Sequence, residues 1–440
     1  MYRLARTALL ILCTALVSAT PAIADVVGDW NQTILATVGV AAPAGRGATP
    51  ATIIDVAMTH LAMHDAAQAY DKRFEPYAGS IAGASGSGIV AVARAAYEVL
   101  ADRFPLQAAG LLTTYNNYVA ALIPAPSPAD RAAGEAVGHQ AAQNVITARA
   151  GDGSFPTTFD QFTGGTGPGE WRPNPGTPGM VAPWAGAVRQ FALDSVQRCQ
   201  PDAIPPLTSI EYAENYNEVK ALGSATNSTR TPAQGRIARV FSGNFFGIYN
   251  RLFQELAAAH LAGNSAAKLG DRARLFALTN TAMADAFICA WESKKKFNFW
   301  RPIHAIQNGD QDGNLLTEKD ASWTPYFLPI TPNYPDYTSG ANNVTGASMR
   351  MLQLYFGGDR PFESFQIFAA PIPGGLVPEA GDSPITYDRF SDVMKDVIVA
   401  RIYLGIHFRF ADTEARSQGR RVANYAFKNI LQPIDKHGNK

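Results

Sequence analysis

The chain has 440 residues, 47% hydrophobic and 17% charged, with 37 basic residues balancing 37 acidic ones. That composition is too apolar for a disordered chain and lacks the basic excess that nucleic-acid binding needs, so no nucleic-acid partner is expected. The length admits one large domain or two to three smaller ones, and the sequence does not fix an oligomeric state.

Arg3 and Arg6 precede an apolar run from Ala8 to Val17, and Ala22-Ile23-Ala24 makes a small-x-small site before Asp25. This is the layout of a secretory signal peptide over residues 1–24, with a run too short to anchor in a membrane, so a secreted or periplasmic protein is expected. Removing Arg3 and Arg6 with the leader leaves 35 basic residues against 37 acidic ones. No later segment offers about 20 uninterrupted apolar residues, so no transmembrane anchor is expected. Cys13 lies in the leader. Cys199 and Cys289 fall short of a disulfide framework, and a single bridge or two buried thiols both fit.

Residues 25–150 read as an N-terminal helical half. Positions 51–70 are rich in Ala, Leu and Met and free of Gly and Pro, and helices are expected there and over 87–103, 107–122 and 128–150. His60 and His64 sit one helical turn apart. That spacing suits a zinc pair, but no glutamate follows the first histidine and no third ligand is evident, so structural histidines are the expectation. Residues 151–207 form a Gly/Pro-rich connector running over the surface, with Phe155, Phe159, Phe162, Trp171 and Trp184 calling for burial. Helices resume over 209–223, 232–262 and 268–297, within a C-terminal half spanning 208–440. The fold class is therefore all-α, two sets of antiparallel helices joined by the connector.

Three stretches carry chemistry. Lys294 and Arg301 are seven residues apart, which on one continuous helix puts them about 20° from alignment on the same face, with Pro302 stopping the helix. Ser339-Gly340 opens a helix running to Tyr355, and a hydroxyl with free N–H groups at a helix start suits an anion. Arg401 stands six residues before His407, with Gly405 between them. The guanidinium offers a fork of donors for an oxyanion, and a neutral imidazole can ligate a metal or attack phosphorus.

Together these stretches resemble the three-part signature of the vanadium-dependent haloperoxidases and of the type 2 phosphatidic acid phosphatases that share their fold. The Phe-x-Phe-Trp-Arg-Pro ending at Pro302, Tyr334-Pro335-Asp336-Tyr337, Ile406-His407-Phe408-Arg409-Phe410 and Met63-His64-Asp65-Ala66 extend the likeness over the chain and favour the haloperoxidase branch. The resemblance implies a helical-bundle fold and a vanadate cofactor. Lys294, Arg301 and Arg401 would neutralise its oxygens, Ser339 and the Gly340 N–H would bond it, and His407 would be the axial ligand to vanadium. Hydrogen peroxide and halide would be the substrates, with an organic acceptor or, for a phosphatase acting through a phosphohistidine at His407, a phosphoester as the alternatives. Tyr334 would face the halide side. The family's serine-glycine pair is usually followed by an acid/base histidine, and here that position is Ala341, with Thr338 in place of the preceding proline. Asn342, Asn343, Asp336 and His304 are the nearby candidates for the lost role. Asn does not shuttle protons near neutrality, which leaves His304 as the expected substitute. A cage kept without its acid/base also fits a non-catalytic oxyanion-binding protein.

Overall fold

Every residue from Ile53 to Ala69 is buried, so this helix is covered around its whole circumference and must lie inside a shell of other elements. The computed structural model describes residues 25–39, 50–263, 265–327, 331–372 and 375–434; the signal-peptide reading of residues 1–24 lies outside them. In chain order the helices are α1 (Val26–Gly39), α2 (Ile53–Asp71), α3 (Gly88–Arg103), α4 (Ala108–Ala120), α5 (Pro128–Ala148), α6 (Ile210–Leu222), α7 (Pro232–Val240), α8 (Phe245–His260), α9 (Ala266–Phe297), α10 (Pro302–Gln307), α11 (Gly340–Phe356), α12 (Phe390–Tyr403) and α13 (Arg409–Asn429). A short antiparallel pair, β1 (Phe365–Ile367) and β2 (Ile385–Tyr387), joins α11 to α12. The fold is all-α apart from this ribbon. Among the described residues no helix is long and apolar enough to cross a membrane.

The axis of the molecule is α9, 32 residues and therefore about 48 Å long. It packs against α2 on one side and against α11 and α13 on another, so the helices before and after the connector share one hydrophobic core. Side-chain caps set most helix starts: Ser87, Ser127, Ser209 and Ser265 each accept from the third N–H of their helix, and Thr231 with Gln234 forms a reciprocal capping box.

Two expected helices break. The stretch 232–262 divides into α7 and α8, because Asn244 turns its side chain onto the N–H groups of Phe246 and Gly247 and starts a new helix. The expected helix through Lys294 to Arg301 ends at Phe297, where Asn298 takes a left-handed conformation (φ 49°). Pro302 opens α10 rather than stopping α9, and Arg301 is the residue before it, so Lys294 and Arg301 do not share a helix face. The helix α1 carries no expectation from periodicity.

The connector is pinned to α9 at two successive turns. Asp285 accepts from the N–H groups of Phe191, Ala192 and Leu193 at 2.6, 2.8 and 3.1 Å. One turn on, Cys289 is bridged to Cys199, which settles the open cysteine question in favour of a disulfide. Trp171 is fully buried and stacked on Phe162, and Phe155 packs on Trp184, but Phe159 is exposed, contrary to expectation. His60 bonds Asn31 through Nε2 (3.2 Å) and stacks on Phe276, while Nε2 of His64 bonds the Glu75 carbonyl (3.1 Å); the two rings serve separate structural partners.

Burial holds the pKa of His60 down at about 3. The unfolded chain binds a proton near pH 6.5 and the fold does not, so this group costs stability as pH falls from 6.5 towards 3. His60→Gln, which can keep a bond to Asn31, should flatten the acid limb of a stability-versus-pH curve by up to about 1.4 kcal/mol per pH unit in that window. An unchanged slope would count against a neutral buried His60. Replacing both cysteines by serine should remove about 4–5 kcal/mol, the loop-closure value for a bridge spanning 90 residues, seen as a lower denaturant midpoint. A midpoint insensitive to the double substitution would mean that the bridge holds nothing the core does not.

Candidate functional site

The end of α9, the segment before α11, the end of α12 and the start of α13 meet at one place. Lys294 lies in the last turn of α9, where the negative end of the helix dipole favours a cation. It is fully buried and donates to the carbonyls of Pro335, Asp336 and Thr338 at 2.8, 3.1 and 2.6 Å, which uses all three of its protons. Burial, and then the charge of Arg301, push its pKa well below the usual lysine range.

Arg301 is also fully buried. Its Nε donates to the Tyr334 carbonyl (2.8 Å), and its Nη1 donates to the Ile406 carbonyl (2.7 Å) and stands 3.1 Å from Nε2 of His407. Arg401 donates through Nη1 to the Phe241 carbonyl (2.9 Å), an acceptor that the break between α7 and α8 makes available. Arg301 Nη2 and Arg401 Nε are buried with no hydrogen-bond partner among the described residues.

His407 follows the turn between α12 and α13. Gly405 makes that turn at φ 75°, where a Cβ would press on the Gly223 carbonyl and on Pro325. Nδ1 of His407 is 2.7 Å from Oδ1 of the fully buried Asp336. A guanidinium can only donate, so Nε2, the ring nitrogen nearer to Arg301, is assigned as the acceptor, which leaves the proton of a neutral ring on Nδ1, the nitrogen in contact with Asp336. Burial, then Arg301, Lys294 and Arg401, hold the His407 pKa well below its ordinary value, so the ring stays neutral. Burial lifts Asp336 to about 7 against the opposing pull of Arg301 and Lys294.

Ser339 caps α11, accepting from the Asn342 N–H at 3.5 Å. The N–H groups of Gly340 and Ala341 that follow it have no acceptors within the helix. Asp412, in the first turn of α13, takes a 2.7 Å bond from Asn342 Nδ2. Burial raises its pKa well above the carboxylate range, opposed by a hydrogen bond from Ser339. Sequence reading missed Asp412, since an aspartate at a helix start is an ordinary dipole partner. Thr338, in the place of the usual proline, donates to Gln418 Oε1 (2.8 Å), as does Asn343 (2.6 Å).

An apolar cavity of about 320 Å³ opens on this cluster, lined by Phe245, Phe287, Trp291, Tyr334, Ala341 and Arg401 among others. The Tyr334 ring packs on Trp291, with Lys294 Nζ 4.9 Å and the Arg301 guanidinium 4.7 Å from its centre. His304 is near Arg301 in sequence but does not line the cavity. Burial, with Arg172 and Arg301, holds its pKa at about 3. Lys294, Arg301, Tyr334, Ser339, Gly340, Arg401 and His407 are thus brought to one cluster, and His304 stands at its edge.

Among the described residues no three His, Cys, Asp or Glu side chains gather to hold a metal cation. The cluster instead suits an oxyanion: buried guanidinium donors without partners, open helix N–H groups, and one imidazole lone pair directed among them.

Residues 274–436, which hold the whole cluster, match the family model described as the VCPO second helical-bundle domain. Vanadium chloroperoxidase of Curvularia inaequalis is 27% identical over 246 residues, 47% of this chain, and the match spans only 40% of that relative's length. The crystal structure of a bacterial vanadium-dependent iodoperoxidase superposes with a TM-score of 0.74 at 21% identity, covering 93% of this chain and 98% of that one. An apo bacterial vanadium-dependent chloroperoxidase gives 0.66 at 17% identity, covering 87% and 93%. The chain has the helical-bundle fold of the vanadium-dependent haloperoxidases, and its resemblance is to that branch.

Proposed function

We propose that this protein is an exported vanadium-dependent haloperoxidase that oxidises halide with hydrogen peroxide at a vanadate held by His407. The observation that carries the reading is the placement of His407: a buried imidazole whose Nε2 stands 3.1 Å from Arg301 Nη1, set among the buried cations Lys294, Arg301 and Arg401. Bound vanadate would supply a centre at which hydrogen peroxide becomes electrophilic enough to oxidise a halide. The chain's own residues would hold it: Nε2 of His407 would ligate the vanadium, Arg301 Nη2 and Arg401 Nε would donate to its oxygens, and Lys294 would add charge while its three bonds shape the loop at 335–338. Ser339 and the Gly340 N–H complete the cradle. Asp336 keeps the proton of His407 on Nδ1 and so keeps Nε2 available. With a methyl group at position 341, proton transfer falls to Asp412 through the Ser339 hydroxyl, with His304 as the further candidate. The Cys199–Cys289 bridge supports export, because such bonds persist in oxidising compartments.

The test is halide oxidation by purified protein with and without orthovanadate. His407→Ala should abolish both vanadate binding and activity. Asp336→Asn should weaken vanadate binding by about 10–100-fold while leaving the fold intact, as loss of a partner behind a ligating histidine does. A phosphohistidine trapped on wild-type protein, with no vanadate-dependent oxidation, would replace this reading by the phosphatase one. Tight vanadate binding with neither activity would leave an oxyanion-binding protein.

The missing imidazole predicts the halide order. Oxidation becomes harder from iodide to bromide to chloride, so the site should act on iodide, less on bromide and little on chloride. Ala341→His should raise bromide turnover several-fold at least, against the roughly 10²–10⁴ that a positioned acid/base contributes. Efficient chlorination by the wild type would show that the proton path through Asp412 needs no histidine at 341.

A further inference from the structure

The helices that build the cluster carry a second, differently charged feature at a distance from it. A cleft of about 630 Å³ opens between the later part of α11, the start of α12 and the middle of α13. Arg350, Arg416, Arg420 and Lys395 line it, against the single carboxylate of Asp359. That carboxylate is committed to its own loop. It accepts from Gln353 Nε2 (2.7 Å), the Ser391 N–H (2.9 Å) and Ser391 Oγ (2.7 Å). Lys395 has its own partner in Asp392 at 2.8 Å.

The three guanidiniums have no such partner. Among the described residues none stands in a salt bridge; Arg350 bonds only the neutral amides of Asn424 (2.8 Å) and Gln353 (3.2 Å). Nε of Arg416 is buried with no hydrogen-bond partner. Arg416 and Arg420 are four residues apart on α13, where like charges on neighbouring turns repel. Burial and the charge of Arg420 lower the pKa of both Arg350 and Arg416, and no carboxylate offsets this. Such a set is solvated at a cost or filled by an anion. Planar guanidinium forks match the edges of a tetrahedral oxyanion better than a point charge does.

We propose that this cleft is a phosphate-binding site, taking the phosphate group through Arg350, Arg416 and Arg420, either as the free anion or as the end of a soluble phosphomonoester. It is separate from the cluster at His407. Arg350 stands ten positions beyond Gly340 on α11, a rise of about 15 Å. The proposal does not depend on what occupies the other site.

Isothermal titration calorimetry on the full-length chain tests it, with inorganic phosphate and glycerol 3-phosphate as probes and ionic strength matched with chloride. Because the cluster at His407 also suits phosphate, and because orthovanadate as a tetrahedral oxyanion would fill both places, the titrations are run on wild type and on His407→Ala. Phosphate binding should survive His407→Ala. It should weaken at least about tenfold in Arg416→Gln and in Arg420→Glu, the second altering an exposed side chain that the fold does not need. Tighter binding of the monoester would identify a carried phosphate as the ligand, and tighter binding of inorganic phosphate the free anion. Binding that is lost with His407→Ala, that ignores both arginine substitutions, or that equimolar chloride abolishes would overturn the proposal.

Discussion

Three cations, Lys294, Arg301 and Arg401, lie within the core, and much of the C-terminal architecture exists to make that tolerable. An isolated buried charge is expensive, so each must find acceptors in the protein. The acceptors here are largely backbone carbonyls: Tyr334, Pro335, Asp336 and Thr338 from the segment before α11, Ile406 from the turn before α13, and Phe241 from the break between α7 and α8. The irregular segments therefore hold their shapes because the cations require it. Two buried carboxyl groups, Asp336 and Asp412, lie beside these cations, each with its pKa raised by burial. Donors left over after this accounting, Arg301 Nη2 and Arg401 Nε among them, are what the cations can offer a ligand.

Sequence alone made much of this legible. The helical class, most helix spans and the grouping of Lys294, Arg301, Ser339, Arg401 and His407 followed from periodicity and from a motif whose parts lie over a hundred residues apart. What stayed hidden has physical causes. The left-handed Asn298 looks like any polar residue near a helix end, so Arg301 was placed on α9 when it precedes α10. Asn244 likewise gave no warning that its side chain would outcompete a continuing helix. Asp412 reads as a routine first-turn acid until α13 is seen to bring it to Ser339. The cysteines could be joined only once Asp285 had laid the connector along α9.

Position 341 shows how local a functional change can be. The backbone of α11 does not depend on it, since Thr345 Oγ1 closes onto the Ala341 carbonyl (2.7 Å) and not onto its side chain. The methyl group joins a largely apolar wall that includes Phe245, Phe287, Trp291 and Val344, so the cavity beside the cations is drier than one bearing an imidazole. Low polarity strengthens the field of the neighbouring guanidiniums while removing a route for protons. The two effects act in opposite directions on a reaction that needs both charge and proton transfer.

The spacing of α11 and α13 has a reach beyond either site. A Cβ at Gly346 would run into the Arg416 carbonyl, and one at Gly419 into the Asn343 carbonyl, so the two backbones touch where these glycines meet them. Ser339 and Asp412 face each other towards one end of this contact, and Arg350 and Arg416 lie on its other flank. The glycine pair acts as the gauge block of a two-ended caliper. A side chain inserted there would open both jaws together, and two sites that share no residue would drift apart as one inherited unit.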